Sequence, residues 1–332
     1  MQMKSQTFIR SVFLFMTFVS LQTYNTHDIN AVTMLLNVCN FTNNINYDDL
    51  QRTLIDSKID YTNITQLNLQ GMFRACSNGR ASFSTTIVPH KVHVQRYKTN
   101  TCSKCDFLKW ANEADTIVSK EWINFFNYRF RIYILPDITA CNFAGLGDVA
   151  PCTRRFCRIW IRAQFSSEIA TYFHELGHNL GLNHASLYDK EYADLSDAMG
   201  YCCNLRCFNA PHSHMLSWSF PSTILDASDT LTKYVSLKQN EYVIIKNNNV
   251  STYIQYRYGI NEYDINNNDI SNEVQFFGCV NIYQVTSSSK FSNFVHLLCD
   301  IDDTFINDSF TVQLMQHNAT YMQVYIQSIN LP

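Results

Sequence analysis

Charged side chains are scarce in this chain. They make up 16% of its 332 residues, whereas about 25% is typical of soluble domains. The formal net charge at neutral pH is only −3. This composition provides no excess of positive charge for binding a nucleic acid or an anionic membrane surface, so we expect neither as a partner.

Signatures of several other protein classes are also missing. No Gly-x-Ser-x-Gly motif is present, which argues against a serine hydrolase. The stretch Gly145-Leu146-Gly147-Asp148 lacks the full glycine pattern and the following helix of a nucleotide site, so we predict a loop near the cleft. No segment after the N-terminal residues approaches the roughly 20 apolar residues that span a bilayer.

The N-terminal residues are typical of an export signal. Lys4 and Arg10 carry positive charge, and residues 12–19 form an apolar run too short for a membrane span. We predict a signal peptide over residues 1–23, with the mature chain starting between about residues 21 and 28. No clear small-x-small cleavage site is visible, so an uncleaved N-terminal anchor stays open as an alternative.

Cysteine usage agrees with export. All twelve cysteines follow the signal segment, and an even number in an exported chain predicts a disulfide framework, although spacing does not determine the pairing. Cys102 and Cys105 have the spacing of a zinc ribbon or redox pair. No matching second pair is present, so we predict structural disulfides there and at Cys202, Cys203 and Cys207. Five sequons fit a secreted glycoprotein, at Asn40, Asn63, Asn249, Asn307 and Asn318.

The most informative segment is 174–184, which contains three histidines, a glutamate and a glycine. If residues 167–180 form a helix, His174 and His178 lie four residues apart and share one face. Gly181 can adopt a left-handed conformation and end the helix, so that the chain turns back and brings in His184. This spacing predicts a zinc site with His174, His178 and His184 as the metal ligands.

Glu175 directly follows the first of these histidines. Three neutral imidazoles leave one position of a tetrahedral zinc ion open for water, whose pKa falls to about 7 there. A neighbouring carboxylate is the natural general base and can later carry the proton to the leaving amine. We therefore predict Glu175 as the catalytic residue. A helix with surface histidines, the alternative, leaves Gly181 and His184 unexplained.

A methionine follows the histidine motif. Asp197-Ala198-Met199-Gly200 comes thirteen to sixteen residues after His184, and an extended histidine motif with a later methionine turn resembles the metzincin metallopeptidases. The chain resembles in particular the gametolysin family of metzincins, over roughly residues 125–220. The residues that carry the resemblance are Cys141, 144–148, Trp160, Ile161, 174–185, 196–200, 208–211 and Trp218.

This resemblance implies a secreted endopeptidase that uses Zn²⁺ and cuts proteins, in the founding members extracellular-matrix or cell-wall glycoproteins. It implies that Met199 lies beneath the metal as an apolar floor without binding it. Tyr201 is similar to a tyrosine that some other metzincins place near zinc to stabilise an oxyanion, and packing is the alternative role. The implied partner is a protein or glycoprotein substrate, and the oligomeric state stays open.

Hydrophobic patterning predicts an α+β fold with two domains. Strand-like runs and one helical pattern predict a sheet backed by helices. The resemblance implies that this part is a metzincin-like peptidase domain, a twisted sheet with helices, over residues 24–220. Seven short β-rich runs then predict a β-sandwich-like accessory domain over 221–332. The strand-like runs of the first domain are 31–38, 82–97, 131–135 and 158–162, and the helical pattern covers 106–126.

Two local predictions concern the surroundings of the site. The run around Ile159, Trp160 and Ile161 is either the sheet edge that pairs with an extended substrate or an ordinary core strand. His212 and His214 follow a predicted turn at Asn209-Ala210-Pro211, and we expect them at the surface, with a position lining the cleft as the alternative.

Two other classes of function stay open. One is a secreted protein that binds a glycan or a protein through its C-terminal domain while its zinc centre is inactive. The intact set of predicted ligands and base argues against it. The other is a zinc amidase that acts on a non-protein substrate, which analysis of the products would distinguish from a peptidase.

Overall fold

The structure is a computed structural model that describes most of the chain after residue 27. The described residues are 28–55, 67–94, 104–149, 151–152, 156–201, 204–259, 262–264, 278–288, 291–318 and 320–329. The predicted signal peptide lies outside these ranges. Within them, none of the helices combines the length and the apolar character that crossing a bilayer requires.

The described residues form a mixed α+β fold with several sheets and few helices, as predicted. The helices are α1 (Tyr47–Leu54), α2 (Leu69–Cys76), α3 (Phe107–Glu121), α4 (Ile169–Asn179) and α5 (Ala210–Met215), with 3-10 turns at Phe125–Asn127 and Ala163–Phe165. The strands are β1 (Asp28–Val38), β2 (Ser82–Ile87), β3 (Val92–Val94), β4 (Phe130–Leu135), β5 (Gly145–Gly147), β6 (Cys157–Arg162), β7 (Ala185–Leu187), β8 (Thr223–Asp226), β9 (Thr232–Lys238), β10 (Tyr242–Asn247), β11 (Val250–Arg257), β12 (Cys279–Thr286), β13 (Ser292–Leu298), β14 (Thr304–Ile306), β15 (Phe310–His317) and β16 (Tyr321–Ser328).

The first sheet has the strand order β2-β1-β4-β6-β5, and β3 also pairs with β1. Strands β2, β1, β4 and β6 run parallel to one another, whereas β5 is antiparallel to β6. Strands of parallel sheets are covered on both faces and are therefore apolar over almost their whole length. The predicted strands 31–38, 131–135 and 158–162 are confirmed, and burial on both faces explains the apolar runs that indicate them.

Helices cover both faces of this sheet. Along β4, Ile132 and Ile134 join a hydrophobic cluster with α1, α2 and α4, whereas Tyr133 and Leu135 join a second cluster with α3. This alternation is the two-residue period of a β-strand. Trp110 anchors α3, which lies within the predicted helical pattern 106–126.

The C-terminal end of α4 is fastened to the edge of the first sheet. The side-chain Nδ2 of Asn179 donates to the backbone oxygens of Asp148, at 2.9 Å, and Arg158, at 3.2 Å. The backbone nitrogen of Cys152 donates to the Asn179 oxygen at 3.1 Å. These bonds place the histidine-bearing helix beside β5 and β6.

The remaining strands form two further sheets. One has the order β7-β13-β12-β11-β10-β8 and the other the order β14-β15-β16-β9. Buried side chains of these two sheets form one hydrophobic cluster. Ile254 and Ile282 come from strands β11 and β12, and Val312 and Val324 come from strands β15 and β16. All seven predicted β-rich runs overlap strands, although the start of the run 274–285 lies outside the described residues.

Strand β7 belongs to a C-terminal sheet although it precedes residue 221. Its residues Ala185, Ser186 and Leu187 pair in parallel with residues 292–294 of β13. The division between residues 220 and 221 stays a prediction, but backbone hydrogen bonds join the two sides of it immediately after the histidine motif.

Disulfides join distant parts of the chain. The bonds among the described residues are Cys76–Cys207, Cys105–Cys141, Cys152–Cys157 and Cys279–Cys299. They confirm the predicted structural roles of Cys105 and Cys207, whereas Cys102, Cys202 and Cys203 lie outside the described residues. Disulfides of this kind fit an oxidising, extracellular environment.

Candidate metal centre

The three histidines of the motif lie together. His174 and His178 lie on α4, and His184 follows the helix. One nitrogen atom of each ring lies within 4.8 Å of the other two, so the cluster could hold a metal ion. The Nε2 atoms of His178 and His184 are 3.0 Å apart.

Gly181 ends the helix and turns the chain, as predicted. Its φ is +95°, a left-handed conformation that favours glycine. The Gly181 nitrogen donates to the His178 oxygen and the Leu182 nitrogen donates to the Gly177 oxygen, which together form a Schellman cap. The turn also places the Leu182 oxygen 2.9 Å from Nδ1 of His178. One glycine therefore both leads the chain to His184 and orients the ring of His178.

An oxygen atom holds the outer nitrogen of each histidine ring. The Nδ1 atom of His174 lies 2.8 Å from the backbone oxygen of Ala198, and that of His184 lies 2.5 Å from Oε1 of Glu191. Carbonyl and carboxylate oxygens only accept hydrogen bonds, so each Nδ1, including that of His178, carries the hydrogen. Each neutral ring then has its lone pair on Nε2, the nitrogen that remains for a metal.

Burial keeps two of the rings neutral. Desolvation, together with the neighbouring histidines, lowers the pKa of His174 to about 4 and the pKa of His178 to about 3. Neutral imidazole is the form that binds a divalent cation. The surroundings therefore favour metal binding at neutral pH without loss of a proton from these rings.

Met199 packs directly against α4. It is fully buried, and a Cβ atom added to Gly177 would lie 2.4 Å from its sulfur. Gly177, between the two helical histidines, therefore leaves room for the thioether. The carbonyl oxygen that holds His174 belongs to Ala198, so the methionine turn both packs beneath the helix and orients one histidine.

A buried hydrogen-bonded pair of Asp197 and His212, absent from the sequence-based predictions, supports this turn. Asp197 accepts hydrogen bonds from the backbone nitrogens of Met199, at 2.6 Å, and Asn209, at 2.5 Å. Its carboxylate lies 3.1 Å from Nδ1 of His212, which is fully buried, so the expected surface position of His212 is wrong. Burial raises the pKa of Asp197, but His212 and the hydrogen bonds outweigh this and lower it overall.

The local signal for this pair is present in the sequence. Asn209 caps the start of α5, where its side chain accepts from the His212 nitrogen, and Pro211 lies in the first turn. Recognising this helix start would have placed His212 on a short helix. The partner, Asp197, is fifteen residues away and has no such local signal.

Glu175 lies in a narrow space beside β5. The residue is 7% exposed, and a Cβ atom added to Gly145 would lie 2.6 Å from its Oε1 atom. A Cβ atom on Gly147 would lie 2.7 Å from the backbone oxygen of Glu175. The two glycines therefore allow the strand to approach the carboxyl group. Burial raises the pKa of Glu175 to about 8, and a cation on the adjacent histidines would favour the ionised form.

The edge of the first sheet differs from the predictions. Residues 145–147 form strand β5 and not a loop, and within the described residues β5 pairs with β6 alone. Strand β6 lies between β4 and β5, and Ile159, Trp160 and Ile161 are buried. The interpretation of β6 as the substrate edge is therefore wrong, and the alternative of a core strand is confirmed.

The tyrosine beside the histidines is Tyr192, whereas the sequence analysis singled out Tyr201. The Tyr201 side chain is 75% exposed. The ring of Tyr192 stacks on that of His184, with centroids 3.8 Å apart, and its centroid lies 6.3 Å from that of His174. The two tyrosines are joined by a backbone hydrogen bond from the Tyr201 nitrogen to the Tyr192 oxygen.

Comparison with known proteins agrees with this geometry. Autolysin from Chlamydomonas reinhardtii is 36% identical over 98 residues, a match that covers 28% of this chain and only 15% of autolysin. The family described as gametolysin peptidase M11 matches residues 29–254, more than half of the chain. This match includes the three histidines, and membership of a metallopeptidase family implies a metal. The chain therefore belongs to the gametolysin family of peptidases, M11.

Proposed function

We propose that this protein is a secreted zinc endopeptidase of the metzincin type, which hydrolyses peptide bonds in extracellular-matrix or cell-wall glycoproteins. The observation that carries the proposal is the group of His174, His178 and His184 beside the buried carboxyl group of Glu175. In this interpretation the first sheet and its helices form the peptidase domain. The two C-terminal sheets, with their common hydrophobic cluster, form a β-sandwich-like accessory domain.

The three side chains fit a zinc ion. Zinc binds histidine through bonds of 2.0–2.1 Å, so two ligands of a tetrahedral ion lie about 3.3 Å apart. The Nε2 atoms of His178 and His184 are already 3.0 Å apart. A set of neutral nitrogen donors without carboxylate ligands suits zinc better than magnesium or calcium.

Glu175 and the histidine supports supply the remaining chemistry. A bound zinc ion would polarise the scissile carbonyl and acidify a water molecule. The Glu175 carboxylate would accept a proton from the attacking water and would then deliver it to the leaving nitrogen. The hydrogen bonds on the three Nδ1 atoms leave the Nε2 lone pairs available for one metal ion.

Strand β5 provides an edge for an extended substrate. A substrate segment that adds to this edge as a further strand is bound through main-chain hydrogen bonds, which accept many sequences. The close approach of Gly145 to the Glu175 carboxyl group would bring such a segment to the predicted base. Cleavage of extended rather than helical segments follows from this arrangement.

Metal analysis and product analysis together test the proposal. We expect the full-length protein from a secreting host to contain one zinc ion per chain, to lose its activity with a chelator and to regain it with zinc. Mass spectrometry of digested gelatin, casein and cell-wall material should then identify cut peptide bonds. Zinc-dependent products without peptide cleavage would indicate an amidase, and zinc-loaded protein without any product would refute the enzymatic proposal.

A further inference from the structure

His184 is the one histidine of the cluster that lies outside α4, and the segment 188–192 holds it from two directions. We call this segment the 188–192 loop. Oε1 of Glu191 lies 2.5 Å from Nδ1 of His184. The ring of Tyr192 stacks on the His184 ring at a centroid distance of 3.8 Å and an interplanar angle of 35°.

The backbone of this loop adopts an unfavourable conformation. Tyr188, Asp189 and Tyr192 have φ values of 49°, 61° and 66°. Residues with a Cβ atom avoid this left-handed region because the Cβ approaches the following carbonyl oxygen. Three such residues in five positions persist only where contacts elsewhere stabilise them.

Those contacts come from strand β13, about a hundred residues later in the chain. The Tyr188 nitrogen donates to the Phe294 oxygen at 3.0 Å. The Asp189 nitrogen donates to Oδ1 of Asn293 at 3.0 Å, and Nδ2 of Asn293 donates to Oδ1 of Asp189 at 2.7 Å. Strand β7, which pairs with β13, leads directly into the loop.

We propose that the C-terminal sheet that contains β13 supports the metal centre, because β13 positions the third histidine through the 188–192 loop. Asn293 holds Asp189, and the loop in turn places Glu191 and Tyr192 against His184. Glu191, Tyr192 and Asn293 are positioning residues in this proposal, which rests on the proposed function of the three histidines as zinc ligands.

The outer nitrogens of the other two histidines are held by residues outside the 188–192 loop. Nδ1 of His178 is held by Leu182, four residues away, and Nδ1 of His174 by Ala198, in the methionine turn. Damage to the β13 contact should therefore affect one ligand of the three. The expected result is a weakened and distorted zinc site and not a complete loss of the fold.

Variants of Glu191 provide the first test, because this side chain is 57% exposed and its replacement does not disturb the core. Loss of an outer hydrogen bond to a metal-binding histidine typically weakens metal affinity 10–100-fold. We expect this loss for Glu191→Ala in a chelator competition with zinc, and recovery for Glu191→Gln, which keeps an oxygen acceptor. The matched control is Glu121→Ala, which removes an exposed contact to His90 at 3.1 Å far from the loop in sequence.

Asn293→Ala tests the link to the C-terminal sheet. We expect a zinc affinity lower by about tenfold, and a visible absorption spectrum of the cobalt-substituted protein that changes in the same direction as for Glu191→Ala. Asn247→Ala is the control, because Nδ2 of Asn247 donates to Ser309 within the C-terminal region, away from the loop. In the double variant Glu191→Ala with Asn293→Ala, the zinc affinity should fall by less than the product of the two single losses, since both residues act on His184.

The outcomes separate this inference from the proposed function. Wild-type protein that binds zinc, together with an Asn293→Ala protein that matches Asn247→Ala in affinity and cobalt spectrum, would overturn the inference and leave the proposed function intact. A Glu191→Ala protein that matches Glu121→Ala would overturn it in the same way. Wild-type protein that binds no zinc would refute the proposed function and this inference with it. If Asn293→Ala does not fold, as judged by circular dichroism, Asp189→Gly takes its place, because it removes the same side-chain hydrogen bond from the loop and glycine adopts the φ of 61° without strain.

Discussion

The two halves of the metal centre are built in different ways. His174 and His178 lie on a buried helix, and backbone carbonyl oxygens hold their outer nitrogens. His184 lies after the helix, where an exposed carboxylate and a tyrosine ring hold it. Helical spacing thus determines two of the three positions, whereas the third depends on a loop that is hydrogen-bonded to a distant strand. The helical half should be the more robust of the two.

The largest expected effect is a loss of catalytic rate, and it comes from a residue of the helical half. Glu175→Gln removes the proposed general base but keeps the size of the side chain. Such groups typically contribute 10²–10⁴-fold to the rate, so kcat/KM should fall by about this factor while zinc content stays unchanged. Peptide cleavage assays and metal analysis on the same sample check it, with the exposed Glu121→Gln as control. Full activity in Glu175→Gln would contradict the mechanism.

The second effect concerns the turn that supports His174. Asp197→Ala leaves Nδ1 of His212 and the backbone nitrogens of Met199 and Asn209 without their acceptor. Each buried group left unpaired typically lowers the free energy of unfolding by about 1–3 kcal/mol. Urea denaturation measures this loss. Asp49→Ala is the comparison, because Asp49 pairs with Arg52 at the surface, where such pairs contribute about 0–1 kcal/mol. Equal losses in the two variants would show that the buried pair does not support the turn.

The third effect concerns the turn that supports His178. Gly181→Ala forces a Cβ atom into a left-handed conformation, which costs about 1–2 kcal/mol, and places it 3.3 Å from Pro151. Gly79→Ala is the control, because Gly79 also has a positive φ, +74°, and a Cβ atom added there has no other atom within 4 Å. Both variants should lose stability, but only Gly181→Ala should also lose zinc affinity. A zinc affinity reduced equally in both would show that the turn at Gly181 does not orient His178.

The smallest effect distinguishes the two tyrosines. Tyr201→Phe removes a hydroxyl from a side chain that is 75% exposed, and surface substitutions usually change stability by less than about 0.5 kcal/mol. We expect unchanged kcat and KM for peptide cleavage. A loss of kcat of about tenfold or more would show that Tyr201, and not only Tyr192, acts at the site during turnover.

Local patterns account for the parts of the fold that were predicted correctly. Continuous apolar runs indicated β1, β4 and β6, and helical spacing with a terminal glycine indicated α4 and its end at Gly181. Each of these features depends on residues close together in the chain. The four-residue spacing of His174 and His178 likewise follows from helix geometry alone.

Contacts between distant residues account for the errors and omissions. A short strand of two glycines around Leu146 has no strand-like composition, so the sequence predicts a loop there and leaves β6 open as a sheet edge or a core strand. The pairing of β7 with β13 and the hydrogen bond between Asp197 and His212 have no local sequence signature. These pairings join residues that are distant in the chain, so no pattern of neighbouring residues predicts them.

X-ray absorption spectroscopy at the zinc edge, on wild-type protein and on the His184→Ala variant, counts the histidine ligands of the metal. We predict one zinc ion with three histidine nitrogens at about 2.0–2.1 Å and one oxygen ligand in the wild type, and one histidine fewer in the variant. A wild-type spectrum without three histidine ligands, or a variant spectrum identical to that of the wild type, would show that His184 does not bind the metal.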